Sequence, residues 1–332
     1  MARNKRKTIK DKDKFKKIRK EARKRWRKKK AIEKAMKNLQ KEPIAEEPAN
    51  CEKGSSPAAE LPVGTVQKNP ESNKRQVVVQ RHVREIDPSL VVRSEKFLGC
   101  GTFGNCYLAY YRDVVVAVKE FKPRKVSLDY LKKELHHEAR MINHLEDHRG
   151  VPLLFGVVTK SEPLRLITKF HGQKDRSLTL FSAMKRLKLD KPSWLGITKN
   201  LIDALDHIHS GGILHNDLKS NNVVMEKREQ GWNPVIIDFG KACFTSDPMP
   251  AKSLSVIQQE EYRKRYPHIA PEIVNGSGRQ STLSDVFSLG RIVIAILDLL
   301  PTATARSIKV ARSAICDDPY KRPSLKELFA AL

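Results

Sequence analysis

The sequence Ile213-Leu214-His215-Asn216-Asp217-Leu218-Lys219-Ser220-Asn221-Asn222 decides the fold of this chain. It places a carboxylate, a lysine two residues later and an asparagine five residues later within one polar run flanked by apolar pairs. A second carboxylate, Asp238, ends the apolar run that begins at Val235. Two carboxylates and an asparagine in this order, next to two apolar strands, predict a site that holds a hydroxyl nucleophile beside a metal-bound phosphate.

Each polar residue of this site has an expected role. Asp217 is expected to accept or orient the proton of the attacking hydroxyl, and Lys219 to contact the transferred phosphoryl group. Asn222 and Asp238 are expected to bind Mg²⁺ through hard oxygen atoms. A single carboxylate in a loop is more often a cap or turn residue, but that alternative fits a set of this spacing poorly.

A glycine-rich stretch lies upstream, Leu98-Gly99-Cys100-Gly101-Thr102-Phe103-Gly104-Asn105-Cys106. Glycines allow backbone N–H groups to approach phosphate oxygens without a Cβ in the way. A dinucleotide-binding loop needs a helix directly after the glycines, whereas Tyr107–Tyr111 continues as strand-forming sequence. By itself the stretch fits a phosphate-binding loop and an ordinary glycine-rich hairpin equally well.

Two further charged residues are predicted to form an ion pair. Lys119 ends the apolar strand Val116-Ala117-Val118, where its ammonium group can bind a phosphate. Glu138 shares a face with the apolar residues of a predicted helix capped by Ser127. A buried carboxylate needs a cationic partner, and Lys119 is the natural one. The alternatives are a solvent-exposed lysine and a surface glutamate.

The last part of the chain contains candidate structural contacts. Glu272, in Ala270-Pro271-Glu272, is predicted to form a bidentate ion pair with Arg322. Asp285 is predicted to accept hydrogen bonds from the backbone of the run around Asp217. The alternatives are helix capping and surface ion pairs.

These elements, in this order, resemble a eukaryotic-type protein kinase domain over about residues 90–332. The resemblance implies an α+β, bilobal fold with a small β-rich N-lobe and a larger helical C-lobe. It also implies ATP and Mg²⁺ as cofactors and a protein hydroxyl as acceptor. The wording Asp217-Leu218-Lys219-Ser220-Asn221-Asn222 resembles serine/threonine kinases of the tyrosine-kinase-like group. The alternatives are a catalytically weak kinase-like scaffold and a tyrosine or dual-specificity kinase.

The same resemblance implies the nucleotide-binding residues. The whole glycine stretch from Leu98 to Cys106 would contact the nucleotide, with Cys106 and Ala117 on one side of the adenine ring and Val224 on the other. The hinge between the lobes would lie at Thr168-Lys169-Phe170-His171, with Thr168 facing the adenine pocket and Phe170 beside it.

The sequence departs from the family pattern at three places. Asn216 replaces an arginine that normally pairs with a phosphorylated activation loop, so activity is expected to depend little on such phosphorylation. The segment Arg263-Lys264-Arg265-Tyr266-Pro267-His268 is unusually basic, which suggests acidic protein substrates. The interval from Glu272 to Arg322 is short, which predicts a trimmed helical lobe.

The N-terminal region differs in composition from the rest. Residues 1–41 contain 21 Lys and Arg against 4 Asp and Glu, and the net charge of the whole chain is +26. This basic arm is predicted to become helical when a partner neutralises it, and nucleic acid or an anionic surface is the expected partner. A solvated, disordered basic tail is an equally good interpretation. Residues 42–75 are predicted to be a disordered linker.

The composition also indicates the cellular compartment of the protein. The five cysteines are widely spaced and form no zinc-binding pattern, which suits a reducing compartment. No run of apolar residues is long enough to span a membrane, and the N-terminus lacks the apolar core of a signal peptide. An intracellular location, cytoplasmic or nuclear, is therefore expected.

Overall fold

The computed structural model describes residues 82–332, apart from residues 102, 124–125, 146 and 249–253. The predicted basic arm (1–41), the predicted linker (42–75) and Thr102 lie outside the described residues.

An antiparallel sheet forms the first lobe. Its strands are β1 (Val91–Cys100), β2 (Gly104–Tyr111), β3 (Val114–Phe121), β4 (Leu154–Val158) and β5 (Leu164–Lys169), in the spatial order β1-β2-β3-β5-β4. The turn between β2 and β3 is Arg112-Asp113, and both residues have positive φ, 47° and 68°. This left-handed pair is the geometry that matches the right-handed twist of a two-residue hairpin.

Helix α1 (Leu128–His144) packs against this sheet. Ser127 caps it as predicted, since its Oγ accepts a hydrogen bond from Tyr130 N at 3.2 Å. The buried face of the helix carries apolar residues and one carboxylate: Leu131, Leu135, Glu138, Ala139, Met141 and Ile142. The helix therefore presents Glu138 toward the interior of the domain, as its position in the apolar stripe predicted.

A short segment before β1 covers the edge of the sheet at β4. Val157 N donates to Arg84 O at 2.9 Å, and Ile86 N donates to Val157 O at 2.7 Å, which makes a parallel bridge. Gly156 permits this approach, because a Cβ at that position would lie 2.3 Å from Arg84 O. The carboxylate of Glu85 accepts bonds from Thr159 N and Thr159 Oγ1 at 2.7 and 2.8 Å. The edge strand is thus paired along part of its length.

The second lobe is mostly helical. Its helices are α2 (Leu180–Arg186), α3 (Lys191–Ser210), α4 (Val256–Arg265), α5 (Pro271–Asn275), α6 (Thr282–Leu297), α7 (Ala305–Ala314) and α8 (Leu325–Ala330). Four short strands lie among them: β6 (Ile213–Leu214), β7 (Val223–Arg228), β8 (Gly231–Ile236) and β9 (Cys243–Phe244). The predicted bilobal α+β fold is confirmed.

The apolar pattern predicts a helix from Phe287 to Leu300, whereas helix α6 spans Thr282–Leu297. It begins earlier because Ser281 and Ser284 form a capping box, in which each side chain accepts a bond from the other's backbone N–H. The polar first turn also holds Asp285, which is 1% exposed, so the apolar pattern alone misplaced the start.

The buried ion pair between Glu272 and Arg322 joins helix α5 to the segment before helix α8. Arg322 Nη1 and Nη2 each lie 2.7 Å from a carboxylate oxygen of Glu272, as the sequence predicted. Arg322 Nη1 also donates to Leu283 O at 2.9 Å. The interval between the paired residues contains only helices α6 and α7 and a single turn of 3₁₀ helix. No helix among the described residues has the length and apolarity needed to cross a membrane.

We expect Arg322→Leu to lower the free energy of unfolding by about 3–5 kcal/mol, because the Glu272 carboxylate is left buried without a partner. Urea unfolding followed by circular dichroism measures this change. Lys321→Leu is the matched control, since the Lys321 side chain is 74% exposed and its ion pair lies at the surface. Equal effects of the two substitutions would contradict the assigned contribution of the buried pair.

Candidate functional site

A cleft of about 600 Å³ lies between the sheet and the helical lobe. Most of the predicted site residues line it: Leu98, Gly99, Cys100, Gly101, Cys106, Ala117, Lys119, Glu138, Thr168, Phe170, Asp217, Lys219, Asn222, Val224 and Asp238. They come from both lobes and from positions more than a hundred residues apart. The fold therefore brings the predicted glycine stretch, hinge and polar run to one cavity.

Three predicted residues have their contacts elsewhere. The ring of Phe103 lies 6.2 Å from that of Tyr130, and Asn105 Nδ2 donates to the Tyr107 hydroxyl at 3.1 Å. A Cβ on Gly104 would lie 1.9 Å from Glu120 O. The close approach of β2 and β3 therefore requires a glycine at position 104, and the predicted contact of this residue with the nucleotide stays a prediction. Thr102 lies outside the described residues.

The ammonium group of Lys119 joins three elements of the site. Its Nζ lies 2.9 and 2.7 Å from the two carboxylate oxygens of Glu138 and 3.0 Å from Asp238 Oδ1. Burial alone would lower the pKa of Lys119, but the neighbouring carboxylates outweigh it and raise the pKa. The predicted ion pair forms, and the lysine stays charged.

Asp238 follows β8 in a left-handed conformation, with φ of 69°. Burial would raise its pKa, but the charge of Lys119 and its hydrogen bond lower it. Just before it, Ile237 N donates to Asn222 O at 2.8 Å and so ties this turn to the one that holds Asn222. The amide Nδ2 of Asn222 donates to Asp217 O at 2.9 Å. Among the described residues, no hydrogen bond uses Asn222 Oδ1 or Asp238 Oδ2, which leaves one oxygen of each available to a ligand.

The carboxylate of Asp217 is surrounded by donors. His268 Nε2 lies 2.9 Å from its Oδ1, while Lys219 Nζ and Lys241 Nζ lie 2.8 and 3.3 Å from its Oδ2. Burial would raise the pKa of Asp217, but the His268 hydrogen bond and the two lysines hold it well below its usual range. Asp217 is therefore ionised and acts as a hydrogen-bond acceptor.

Asp285 fixes the backbone of the run that holds Asp217. Its two carboxylate oxygens accept from His215 N at 2.8 Å and Asn216 N at 2.9 Å, and His209 Nε2 lies 3.1 Å away. The predicted contact between Asp285 and this backbone is confirmed. These bonds balance the strain at Asn216, whose φ is 62°.

The side chain of Asn216 binds the segment that follows Asp238. Its Nδ2 donates to Lys241 O and contacts Cys243 Sγ, both at 3.1 Å. Its Oδ1 is buried and makes no hydrogen bond with the described residues. A neutral amide thus holds β9 next to the Asp217 run, without any added charge on that segment.

Sequence reasoning missed two residues that contact Asp217. Lys241 lies three residues after Asp238, so its position next to a predicted site residue could have indicated that it belongs to the site. His268 lies 51 positions after Asp217, and no local pattern predicts that contact. Both line or flank the same cleft, Lys241 with a side chain that is 54% exposed and His268 with one that is 12% exposed.

The arrangement combines three chemical functions in one cavity. Hard oxygen atoms of Asn222 and Asp238 suit a divalent cation. The Lys119 ammonium suits a polyphosphate, and the ionised Asp217 suits a hydroxyl donor. A cleft with these groups can bring a phosphate donor and a hydroxyl acceptor together.

Comparison with known proteins shows that this chain is similar to protein kinases. The family described as “Protein kinase domain” matches residues 92–318. The chain is 26% identical to “Serine/threonine-protein kinase D” of Synechocystis sp. over 65% of this chain and 42% of that protein. It is 28% identical to “CBL-interacting protein kinase 28” of Oryza sativa subsp. japonica over 70% of this chain and 52% of that protein. It is 27% identical to “Inactive leucine-rich repeat receptor-like serine/threonine-protein kinase At5g24100” of Arabidopsis thaliana over 66% of this chain and 33% of that protein. The chain thus spans a third to about half of the length of these relatives.

We expect Asn216→Gly to increase amide hydrogen exchange at residues 243–245 by about 5- to 30-fold, because one or two hydrogen bonds of about 1 kcal/mol each are lost. Glycine tolerates the positive φ, so the backbone of the run is retained. Exchange followed by mass spectrometry measures the effect, and the β7–β8 hairpin is the internal reference. Unchanged exchange at residues 243–245 would show that the amide does not hold this segment.

Proposed function

Because this chain belongs to the protein kinase domain family, we propose that it transfers the γ-phosphoryl group of ATP to a serine or threonine hydroxyl of a protein. The observation that carries this proposal is the geometry of the cleft. The Lys119 ammonium is bound by Glu138 and Asp238, and the ionised Asp217 lines the same cavity. This arrangement supports a site that holds a phosphate donor and orients a hydroxyl.

The donor set fits ATP together with Mg²⁺. The described residues contain no cluster of three or more His, Cys, Asp or Glu side chains that would hold a metal ion by themselves. Asn222 and Asp238 supply hard oxygen ligands, and phosphate oxygens would complete the coordination. The apolar end of the cleft, with Cys106, Ala117 and Val224, suits the adenine ring.

In the proposed reaction Lys119 binds the phosphate groups of ATP, and Asn222 and Asp238 bind Mg²⁺. When bound, Mg²⁺ neutralises charge on the phosphate oxygens. Asp217 orients the acceptor hydroxyl and accepts its proton, while Lys219 stabilises the charge on the transferring group. Positioning and electrostatic stabilisation supply most of the rate, since a largely dissociative transition state needs little covalent assistance.

Acidic protein segments are the acceptor class that we propose. Helix α4 ends in Arg263, Lys264 and Arg265, all exposed, and His268 follows within a few residues. Lys264 pairs with Glu260 on the same helix at 2.6 Å, and Arg263 donates to the side chain of Asn275. The Arg265 guanidinium lies over the Tyr266 ring. The positive field of this segment favours carboxylate or phosphorylated groups next to the acceptor.

A catalytically weak scaffold that signals by binding is the second candidate function. Asp217 already accepts bonds from His268, Lys219 and Asn222, which restricts a hydroxyl to the remaining acceptor site of Oδ1. The name of one relative includes the word inactive. Transfer of radiolabelled phosphate from ATP distinguishes the two candidates.

We expect Asp217→Asn to reduce phosphoryl transfer by roughly 100-fold or more, because the amide cannot accept the hydroxyl proton. Binding of a fluorescent ATP analogue should persist, since Asp217 is not assigned to the nucleotide. Lys119→Met should also abolish most transfer, because the phosphates lose their fixed cation. Radiolabelled-ATP assays with Mg²⁺ measure both variants, with Asp206→Asn on the exposed surface of α3 as the matched control. Equal rates for the wild type and the Asp217 variant would refute the assignment of the base.

A peptide library should show phosphorylation of serine and threonine rather than tyrosine, with acidic residues favoured around the acceptor. Replacing both Arg263 and Arg265 with Gln should weaken the acidic preference several-fold, because two positive charges are removed from the segment. Lys326→Gln on helix α8 is the control for loss of surface charge. A library profile without acidic preference, or with tyrosine as the main acceptor, would contradict this part of the proposal.

A further inference from the structure

In the part of the chain that the structure describes, His268 is the one residue outside the region of Asp217 and Asp238 whose side chain forms a hydrogen bond with Asp217. Its Nε2 lies 2.9 Å from Asp217 Oδ1, and it belongs to the segment between the basic helix α4 and α5. Resting on the proposed transfer reaction, we infer that His268 is a positioning residue. It holds the Asp217 carboxylate in the rotation that leaves one acceptor site of Oδ1 for the substrate hydroxyl.

The distribution of donors on the carboxylate supports this assignment. Oδ2 accepts from Lys219 at 2.8 Å and lies 3.3 Å from both Lys241 Nζ and Asn222 Nδ2. Among the described residues, Oδ1 has only the bond from His268. A carboxylate oxygen offers two acceptor sites, so Oδ1 has one site left, whereas Oδ2 is fully used. The hydroxyl is therefore expected to bind at Oδ1.

Rotation of the carboxylate is the motion that His268 prevents. The terminal torsion of an aspartate is broad and twofold, so the two oxygens exchange places easily unless each has its own partner. Both lysines attract whichever oxygen is nearer. Without the Nε2 donor, Oδ1 is free to turn toward the lysines, and the acceptor geometry for the hydroxyl is lost.

The backbone of His268 is itself held in place. Its carbonyl oxygen accepts a bond from Ser288 Oγ of helix α6 at 2.7 Å. Ile269 N donates to Tyr266 O at 3.0 Å, which closes a turn around the histidine. The imidazole and the Tyr266 ring are nearly perpendicular, with a centroid distance of 6.3 Å. The donor is therefore preorganised rather than recruited by the substrate.

This contact also joins two functions of the site. His268 follows the basic end of α4, to which we assign recognition of acidic substrates. The same segment thus carries the groups that attract the substrate and the donor that orients the base. Displacement of the segment would disturb both, even though Asp217 keeps its backbone bonds through Asp285.

The test compares two substitutions at this position with the wild type. His268→Leu fills a similar volume without a donor, while His268→Gln retains an N–H donor on a side chain of similar reach. We expect His268→Leu to lower kcat for a peptide substrate by about 10- to 100-fold, since a base displaced by about 1 Å loses up to that factor. The KM for the peptide and the Kd for a fluorescent ATP analogue should stay near the wild-type values. His268→Gln should restore most of the lost kcat.

The control and the possible outcomes separate this inference from the proposed function. His136→Leu, on the exposed face of α1, should keep the wild-type rate. An active wild type with an inactive Asp217→Asn variant and a fully active His268→Leu variant would overturn the inference alone. Equal losses in the Leu and Gln variants would assign His268 to packing and overturn it as well. A wild type that transfers no phosphate would refute the proposed function, and the inference with it.

Discussion

The cleft depends on one shared ammonium group. Lys119 extends from β3 and binds a carboxylate from helix α1 and another from the residues after β8. One cation between two carboxylates leaves an excess negative charge, and in a partly buried cavity such an excess favours a further cation. The contact that joins the two lobes therefore also leaves an excess negative charge at Asp238, where we propose that a divalent metal ion binds.

Asp217 has the opposite electrostatic setting. Two lysine ammonium groups lie beside its one carboxylate, so cations outnumber anions around it. The site thus has an anion-rich part at Asp238 and a cation-rich part at Asp217, within one cavity. A metal-bound polyphosphate carries both positive and negative charge. It is therefore complementary to a site with an anion-rich part and a cation-rich part, whereas a neutral ligand is not.

The sequence predicted contacts that depend on charge type and order. The ion pairs of Lys119 with Glu138 and of Glu272 with Arg322 were predictable because a buried carboxylate requires a cationic partner. Glu138 lies in an apolar stripe, and Glu272 lies in the recognisable tripeptide Ala270-Pro271-Glu272. The packing requirement at Gly104 was not recognisable, because a close approach of two strands leaves no local signal in the sequence. The contact of His268 with Asp217 was missed for a related reason. His268 lies 51 positions after Asp217, and the tertiary fold brings the two side chains together. Neither the residue types nor their spacing in the sequence specifies that contact.

The pairing of residues 84–86 with β4 has a consequence for how the domain is delimited. A chain shortened to begin at residue 90 would retain every residue of the cleft. It would, however, lose the backbone partners of Val157 and the carboxylate that binds Thr159. Unpaired N–H and C=O groups on a strand edge are a template for association between molecules. Such a fragment would keep an intact cleft but would expose an unpaired edge at β4. Any aggregation of the fragment would therefore result from the truncation and not from the chemistry of the cleft.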